Sequence, residues 1–229
     1  MKRIRIAALG DSLTKGVVLT DRNRYSVLEN SFIDMIARKF EADIDNYGRF
    51  GCTVGFADRV IARHAQMISS SDYVFLEYGG NDCDFDWGKI ADHPLEEHKP
   101  KTVLESFKEQ FVALIGKIRS FGAVPVIVSL PPIDSESYFD FLSRSMDDLQ
   151  KRNVLDWLGG DVDIISRWHE SYNKELFNIA SLTHTHIIDI TSPFVDYEGD
   201  LKTLYCLDGI HPNAEGHKLI ADNISNINF

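Results

Sequence analysis

The 229-residue chain combines 44% hydrophobic with 26% charged residues, which is typical of a globular protein and argues against a fibrous or disordered one. Its formal net charge of −11 disfavours a nucleic-acid partner or an anionic membrane, because both interactions need Lys and Arg to neutralise negative charge. The length suits one compact domain with a buried sheet, so we expect a single domain over residues 1–229.

Short β-rich runs alternate with longer helical patterns along the chain, which predicts parallel strands joined by crossover helices. The runs that predict buried strands are residues 4–9, 44–47, 73–78, 124–130 and 186–190. Apolar residues at helical spacing predict helices at residues 27–40, near 55–68, near 102–121 and near 163–181. Asn213 is expected to be the N-cap of a closing helix, since apolar side chains recur at helical spacing after it.

Two long connections separate these elements, at residues 82–101 and 131–162. Connections of more than about 12 to 15 residues in a compact domain are often lids or binding loops. We therefore expect both segments to line a substrate site and to determine its specificity.

The cysteines and the N-terminal residues bear on the cellular location. Cys52, Cys83 and Cys206 are an odd number of cysteines in a chain that needs no stapling, so we expect free thiols without a catalytic role. The first residues lack the apolar core of a signal peptide, and no run reaches the roughly 18 to 20 apolar residues of a membrane-spanning helix. We expect a cytoplasmic protein without stable membrane association.

The residues that follow the predicted strands carry most of the reactive groups. In an open parallel sheet, ligands bind outside the carboxyl ends of the strands, so these residues are expected to meet at one edge. The clusters are residues 10–13 (GDSL), 46–51 (NYGRFG), 79–82 (GGND) and 208–211 (DGIH), of which the last precedes the closing helix.

These clusters, in this order, resemble the four sequence blocks of the SGNH hydrolases, also called the GDSL family of esterases and lipases. The resemblance spans residues 10–211. It implies an α/β fold, namely a flavodoxin-like three-layer α/β/α sandwich around a five-stranded parallel sheet. It also implies a carboxylic-ester hydrolase that acts on a small-molecule ester through an acyl-serine intermediate, without a metal ion or an organic cofactor.

The resemblance assigns a catalytic triad to Ser12, Asp208 and His211. A serine hydroxyl is a weak nucleophile at neutral pH, so Ser12 needs His211 as a base to accept its proton during attack. Asp208 would accept a hydrogen bond from the other ring nitrogen of His211, which fixes the tautomer and stabilises the imidazolium.

The resemblance also assigns the donors of an oxyanion hole. A tetrahedral intermediate needs preorganised hydrogen-bond donors at its negatively charged oxygen. The expected donors are the backbone N–H groups of Ser12 and Gly51 and the side-chain amide of Asn81, with Gly48 as the alternative to Gly51. Asp82 is expected to stabilise its loop rather than to act in catalysis.

Other kinds of site fit the sequence less well. Counted from Asp82, a calcium loop would need Gly at the position of Trp87 and an acidic residue at that of His93. Residues 10–16 contain neither a dinucleotide-binding fingerprint nor a P-loop, which argues against a nucleotide-binding domain.

Reactions that share the acyl-serine intermediate remain open alternatives. An O-acetyltransferase or a thioesterase would differ from an esterase only in the bond cleaved or in the final acceptor. For the esterase we expect small acyl or acetyl esters, and an acetylated carbohydrate in preference to a long-chain lipid.

Overall fold

Strands and helices alternate along residues 3–224, the part of the chain that the computed structural model describes. The strands are β1 (Arg5–Gly10), β2 (Val17–Leu19), β3 (Tyr25–Val27), β4 (Asp43–Asn46), β5 (Tyr73–Glu77), β6 (Val124–Val128) and β7 (His186–Ile188). The α-helices are α1 (Ser12–Lys15), α2 (Phe32–Lys39), α3 (Ala57–Ser69), α4 (Trp87–Asp92), α5 (Leu104–Ser120), α6 (Ser135–Ser143), α7 (Asp148–Trp157), α8 (Ile164–Thr183), α9 (Ser192–Val195) and α10 (Ala214–Asn223).

A five-stranded sheet in the order β4-β1-β5-β6-β7 forms the centre of the molecule, and all its neighbouring strands are parallel. If only these five strands are numbered along the chain, without the hairpin strands β2 and β3, their order in the sheet is 2-1-3-4-5. This is the flavodoxin-like arrangement. The strand order reverses between β1 and β5, so their carboxyl ends flank the crevice in which such folds bind ligands. The predicted sheet is confirmed.

Helices cover both faces of the sheet because side chains of a strand point alternately to opposite sides. Ala7 and Leu9 of β1 belong to one buried cluster, which is completed by apolar residues of α3, α5 and α8. Ile6 and Ala8 belong to the other, which is completed by α2, α9 and α10. The two clusters make a three-layer α/β/α sandwich, as predicted.

The predicted helix at residues 27–40 is wrong in its first part. Strands β2 and β3 pair antiparallel as a hairpin, and Val27 at the end of β3 has 51% of its surface exposed. Helix α2 begins only at Phe32, because Ser31 and Asp34 form a capping box: the backbone N–H of each donates to the side chain of the other. Val27 matched the helical spacing without belonging to the helix.

The long connections at residues 82–101 and 131–162 are not open loops. The first contains α4, and the second contains α6 and α7; we call these three helices the helical cap. Asp86, Asp134 and Asp147 begin the three helices, since each side chain accepts a hydrogen bond from a backbone N–H of the first turn. The cap packs on α8 around a third apolar cluster, which includes Phe85, Trp87 and residues of α7 and α8.

Two further expectations concern covalent and membrane features. The three cysteines are free thiols, as predicted. Within residues 3–224, no helix is both long enough and apolar enough to cross a membrane.

Candidate active site

Ser12 lies at the carboxyl end of β1, as the first residue of α1. The turn is tight: a Cβ atom at Gly10 would lie 2.1 Å from Oγ1 of Thr14, so only glycine fits there. Asp11 caps α1, because its Oδ1 accepts a hydrogen bond of 2.9 Å from the backbone N–H of Leu13. This arrangement holds Ser12 in place, and the residue is only 9% exposed.

His211 joins Ser12 to Asp208. Nε2 of His211 lies 3.0 Å from Oγ of Ser12, and Nδ1 lies 2.7 Å from Oδ2 of Asp208. The backbone N–H groups of Ile210 and His211 donate to Oδ1 of Asp208, over 3.3 and 3.1 Å. The structure therefore brings the three predicted triad residues together in the predicted order.

Asp208 keeps its negative charge although it is fully buried. Burial alone would raise its pKa, but the hydrogen bond and charge of His211 and the two backbone N–H groups together hold the pKa below its ordinary value. An ionised Asp208 accepts the Nδ1–H of His211 and leaves Nε2 free to accept the proton of Ser12.

The predicted oxyanion-hole residues line the same cavity as Ser12 and His211. The side-chain amide of Asn81 donates one hydrogen bond of 2.8 Å to Oδ2 of Asp11, which orients the amide and leaves its second N–H available. Gly51 has a φ of +71° on the cavity wall. The backbone N–H of Gly48 already donates to Oδ1 of Asn46 over 2.9 Å. Gly51 is therefore the better candidate for the second backbone donor of the oxyanion hole.

Glu77 is a buried carboxyl group beneath the Ser12 turn that sequence reasoning missed. Its Oε2 accepts hydrogen bonds from Oγ1 of Thr14 at 2.8 Å and from the backbone N–H groups of Thr14 and Asp11 at 3.3 and 3.4 Å. Burial, together with the neighbouring carboxylate of Asp11, raises the pKa of Glu77 well above its ordinary value. In the sequence, Glu77 is simply a residue of a predicted strand, so no local signal distinguished it.

Tyr25 and Phe50 form an aromatic rim beside His211, and sequence reasoning missed this feature as well. The ring of Tyr25 meets that of His211 edge-on at 5.4 Å, and the ring of Phe50 stacks on His211 at 6.0 Å. Partial burial, followed by the nearby Asp208 carboxylate, raises the pKa of Tyr25 to about 12. Tyr25 was missed because no strand was predicted directly before the helix assigned to residues 27–40, so nothing placed Tyr25 near the site.

Asp82 was expected to stabilise its own loop, and its side chain also contacts the loop that carries Gly51. Both of its carboxylate oxygens accept a hydrogen bond from the backbone N–H of Val54, at 3.2 and 3.1 Å. Asp82 is fully buried, and this burial is the main reason that its pKa rises to about 6. Its contact joins the loop of Gly51 to the loop of Asn81.

The cysteine thiols near the site are poor candidates for nucleophiles. Burial raises the pKa of Cys206 to about 11 and also raises that of Cys52, which disfavours the thiolate at neutral pH. Among the residues that the structure describes, no three His, Cys, Asp or Glu side chains come together in a group that could hold a metal ion.

A cavity of about 330 Å³ extends from Ser12 and His211 to the helical cap. Its walls combine the triad edge of the sheet with side chains of α4, α6 and α8. A volume of this size is within the range of small-molecule sites in proteins. The cap thus closes a substrate-sized cavity over the triad residues, in agreement with the prediction that the two long connections line the site.

Comparison with known proteins finds relatives of nearly the whole chain. The family model described as GDSL-like Lipase/Acylhydrolase family matches residues 8–219. The lipoprotein YqeF of Bacillus subtilis (strain 168) is 23% identical, over 96% of this chain and 87% of that protein. The protein YpmR of the same organism is 24% identical, over 97% of this chain and 80% of that protein.

Solved structures share the fold. A lipase/acylhydrolase from Enterococcus faecalis is 18% identical with a TM-score of 0.66, over 96% of this chain and 95% of that one. A mutant of Axe2, an acetyl-xylooligosaccharide esterase from Geobacillus, is 19% identical with a TM-score of 0.61, over 96% of this chain and 91% of that one. Since the family model spans residues 8–219, the protein belongs to the GDSL-like lipase/acylhydrolase family of hydrolases.

Proposed function

We propose that the protein hydrolyses carboxylic esters with Ser12 as the nucleophile, His211 as the general base and Asp208 as the residue that orients His211. The observation that carries the proposal is the continuous contact from Oγ of Ser12 through His211 to Asp208, with distances of 3.0 and 2.7 Å. Nucleophile, base and orienting group within hydrogen-bond reach are the arrangement that activates a serine. Membership of an acylhydrolase family supports the same reaction class.

In the first step, Oγ of Ser12 attacks the carbonyl carbon of the ester while Nε2 of His211 accepts the hydroxyl proton. The carbonyl oxygen becomes an oxyanion, which the backbone N–H groups of Ser12 and Gly51 and the amide of Asn81 would stabilise. The intermediate collapses, the C–O bond to the alcohol breaks, and His211 returns the proton to the leaving oxygen. The product of this step is acyl-Ser12.

In the second step, water attacks acyl-Ser12 and gives its proton to Nε2 of His211. Collapse of this second intermediate releases the carboxylic acid, and the proton returns to Oγ of Ser12. An alcohol in place of water would produce a new ester, which is the acyltransferase alternative. Measuring the free acid released per alcohol released separates the two outcomes, and hydrolysis predicts a ratio of about one.

Covalent trapping tests the nucleophile directly. Oγ of Ser12 should displace p-nitrophenolate from a p-nitrophenyl alkylphosphonate and form a stable phosphonyl-serine, so intact-mass measurement should show a single adduct and peptide mapping should place it on Ser12. The matched variant Asp208→Asn should react much more slowly, because His211 is then in the wrong tautomer. An adduct on another residue, with loss of activity, would contradict the assignment of Ser12.

A further inference from the structure

We propose that the cavity beside Ser12 binds the acyl part of the ester and that the preferred substrates carry apolar acyl groups longer than acetyl. The proposal rests on the esterase function proposed above and names the substrate class of the same site. It differs from the sequence-based expectation of small acyl or acetyl esters, which took no account of the helical cap.

Alongside Asp84, Lys101 and Tyr138, the wall of the cavity away from the triad is formed by apolar and aromatic side chains. They are Phe85, Trp87, Ile133, Leu142, Ile165 and Trp168. The rings of this wall also pack on one another: Phe85 lies 5.8 Å from Trp87 and 4.6 Å from Trp168, measured between ring centroids. Mutual packing holds the rings in place, so the wall is largely preformed, as in most small-molecule sites.

Asp84 forms hydrogen bonds with the polar atoms of two aromatic side chains in this wall, so these atoms are not free to bind a ligand. Its Oδ1 accepts hydrogen bonds from the indole N–H of Trp87 at 2.8 Å and from the hydroxyl of Tyr138 at 2.9 Å. Its Oδ2 pairs with the ammonium group of Lys101 at 2.8 Å. The two aromatic residues therefore present carbon atoms to the cavity, whereas a sugar would require free donors and acceptors there.

His169 lies at the junction of the apolar wall and the proposed oxyanion hole. Its Nε2 lies 4.0 Å from the position that a Cβ atom at Gly80 would occupy, and the residue is only 6% exposed. Burial lowers the pKa of His169 to about 4, so the imidazole is uncharged at neutral pH. The neutral imidazole adds an N–H donor and an acceptor nitrogen but no charge at the point where the apolar wall begins.

The volume of the cavity also favours a longer acyl group. The methyl group of an acetyl ester would occupy only a small part of about 330 Å³, and the aromatic wall would stay in contact with water. Each further methylene of the acyl chain that packs against the apolar wall buries apolar surface. Transfer of one methylene from water supports an increase in kcat/KM of about two- to fourfold.

The test is the acyl-chain dependence of kcat/KM for p-nitrophenyl acetate, butyrate, hexanoate and octanoate, with Ser12→Ala measured in parallel. We expect kcat/KM of the wild-type protein to rise from acetate to at least hexanoate by about two- to fourfold per methylene. A maximum at acetate, with a decline at each longer chain, would overturn the proposal and leave the esterase function intact. Hydrolysis that survives Ser12→Ala would instead refute the proposed function.

A matched pair of substitutions localises the effect. Leu142→Trp places a large ring in the cavity wall, whereas Leu149→Trp places it on α7, where Leu149 is 64% exposed and outside the cavity. We expect Leu142→Trp to lower the ratio of kcat/KM for hexanoate to that for acetate by at least about tenfold, and Leu149→Trp to keep the wild-type ratio. An unchanged ratio in folded Leu142→Trp would contradict this location. If Leu142→Trp does not fold, the wild-type series decides.

Discussion

The spacing of Asp208 and His211 explains why these two residues meet. Because they are three residues apart, the backbone N–H of His211 donates to the same carboxylate that contacts its ring. The resemblance predicts this pair, and the three-residue spacing gives the local reason that the two side chains can meet. The contact with Ser12 spans 199 positions and depends on the whole sheet, so it could be predicted only from the resemblance of separate blocks.

Asp208→Asn tests whether the carboxylate orients the base. Asparagine can accept at only one oxygen and would present an N–H to the ring, so His211 would hold the wrong tautomer. We expect kcat for p-nitrophenyl butyrate to fall by about 10⁴-fold with little change in KM, as for the corresponding change in serine proteases. The melting temperature serves as the control, since loss of folding would lower activity without this mechanism. A kcat within tenfold of wild type would argue against the role of Asp208.

Asn81→Ala tests the side-chain donor of the proposed oxyanion hole. Removal of one such donor is expected to lower kcat by about 10²- to 10³-fold, because the donor acts mainly on the charged intermediate. The substitution also removes the hydrogen bond to Asp11, so the stability of the variant must be measured alongside. An equal effect on KM, with unchanged kcat, would indicate that Asn81 binds substrate in its ground state instead.

At the scale of elements, the sequence predicts the strands of the central sheet and most of the helices that cover it, and misses the hairpin of β2 and β3. Strands β2 and β3 have three residues each and pair only with one another, so no buried alternation marks them. The available signal was the polar run at residues 21–24, in which Asn23 adopts a φ of 57° that asparagine tolerates better than most residues. Missing this hairpin also meant missing Tyr25 at the site.

Substitution of Glu77 tests how the contact between β5 and α1 stabilises the turn that carries Ser12. In Glu77→Leu, three donors of Thr14 and Asp11 would lose their buried acceptor, whereas Glu77→Gln keeps an amide oxygen for them. We expect Glu77→Leu to lower the free energy of unfolding by about 1–3 kcal/mol for each donor left without an acceptor, and also to lower kcat. Glu77→Gln should stay closer to wild type in both quantities. Urea denaturation and kcat measure both effects. Wild-type stability and kcat in Glu77→Leu would show that the acceptor is unimportant.

At the scale of the whole molecule, the alternation of strands and helices predicts a parallel sheet with crossover helices, and the resemblance to the GDSL family predicts its three-layer arrangement. The helical cap was not predicted, because the sequence of residues 131–162 mixes charged with aromatic residues and shows no clear apolar stripe. The cavity arises only where the cap meets the carboxyl edge of the sheet. Its size and its apolar wall therefore depend on contacts between distant segments, which no local pattern reports. The cytoplasmic location remains a prediction from the sequence.

The buried His217 makes stability depend on pH. Burial and the nearby charge of His211 lower its pKa to about 4, with partial compensation from Asp34, whereas an unfolded histidine titrates near 6.5. Unfolding therefore takes up a proton between these values, and the contribution of His217 to the free energy of unfolding falls as pH decreases from about 6.5 to about 4.

His217→Gln tests this linkage, since a glutamine oxygen can replace Nδ1 as the acceptor of the Phe32 N–H. The stability difference between wild type and His217→Gln should shift in favour of the variant by up to about 3 kcal/mol from pH 7 to about pH 4.5. Urea denaturation at both pH values measures it. A difference that does not change with pH would show that His217 titrates normally in the folded protein.

The most direct test of the central claim is the hydrolysis of p-nitrophenyl butyrate by the wild-type protein and by Ser12→Ala. If Ser12 is the nucleophile, turnover should fall by about 10⁶-fold to the background rate, as in serine hydrolases that lose this group, and the variant should remain folded. Wild-type turnover in Ser12→Ala would mean that Ser12 is only a turn residue at the end of β1, and it would contradict the proposed mechanism.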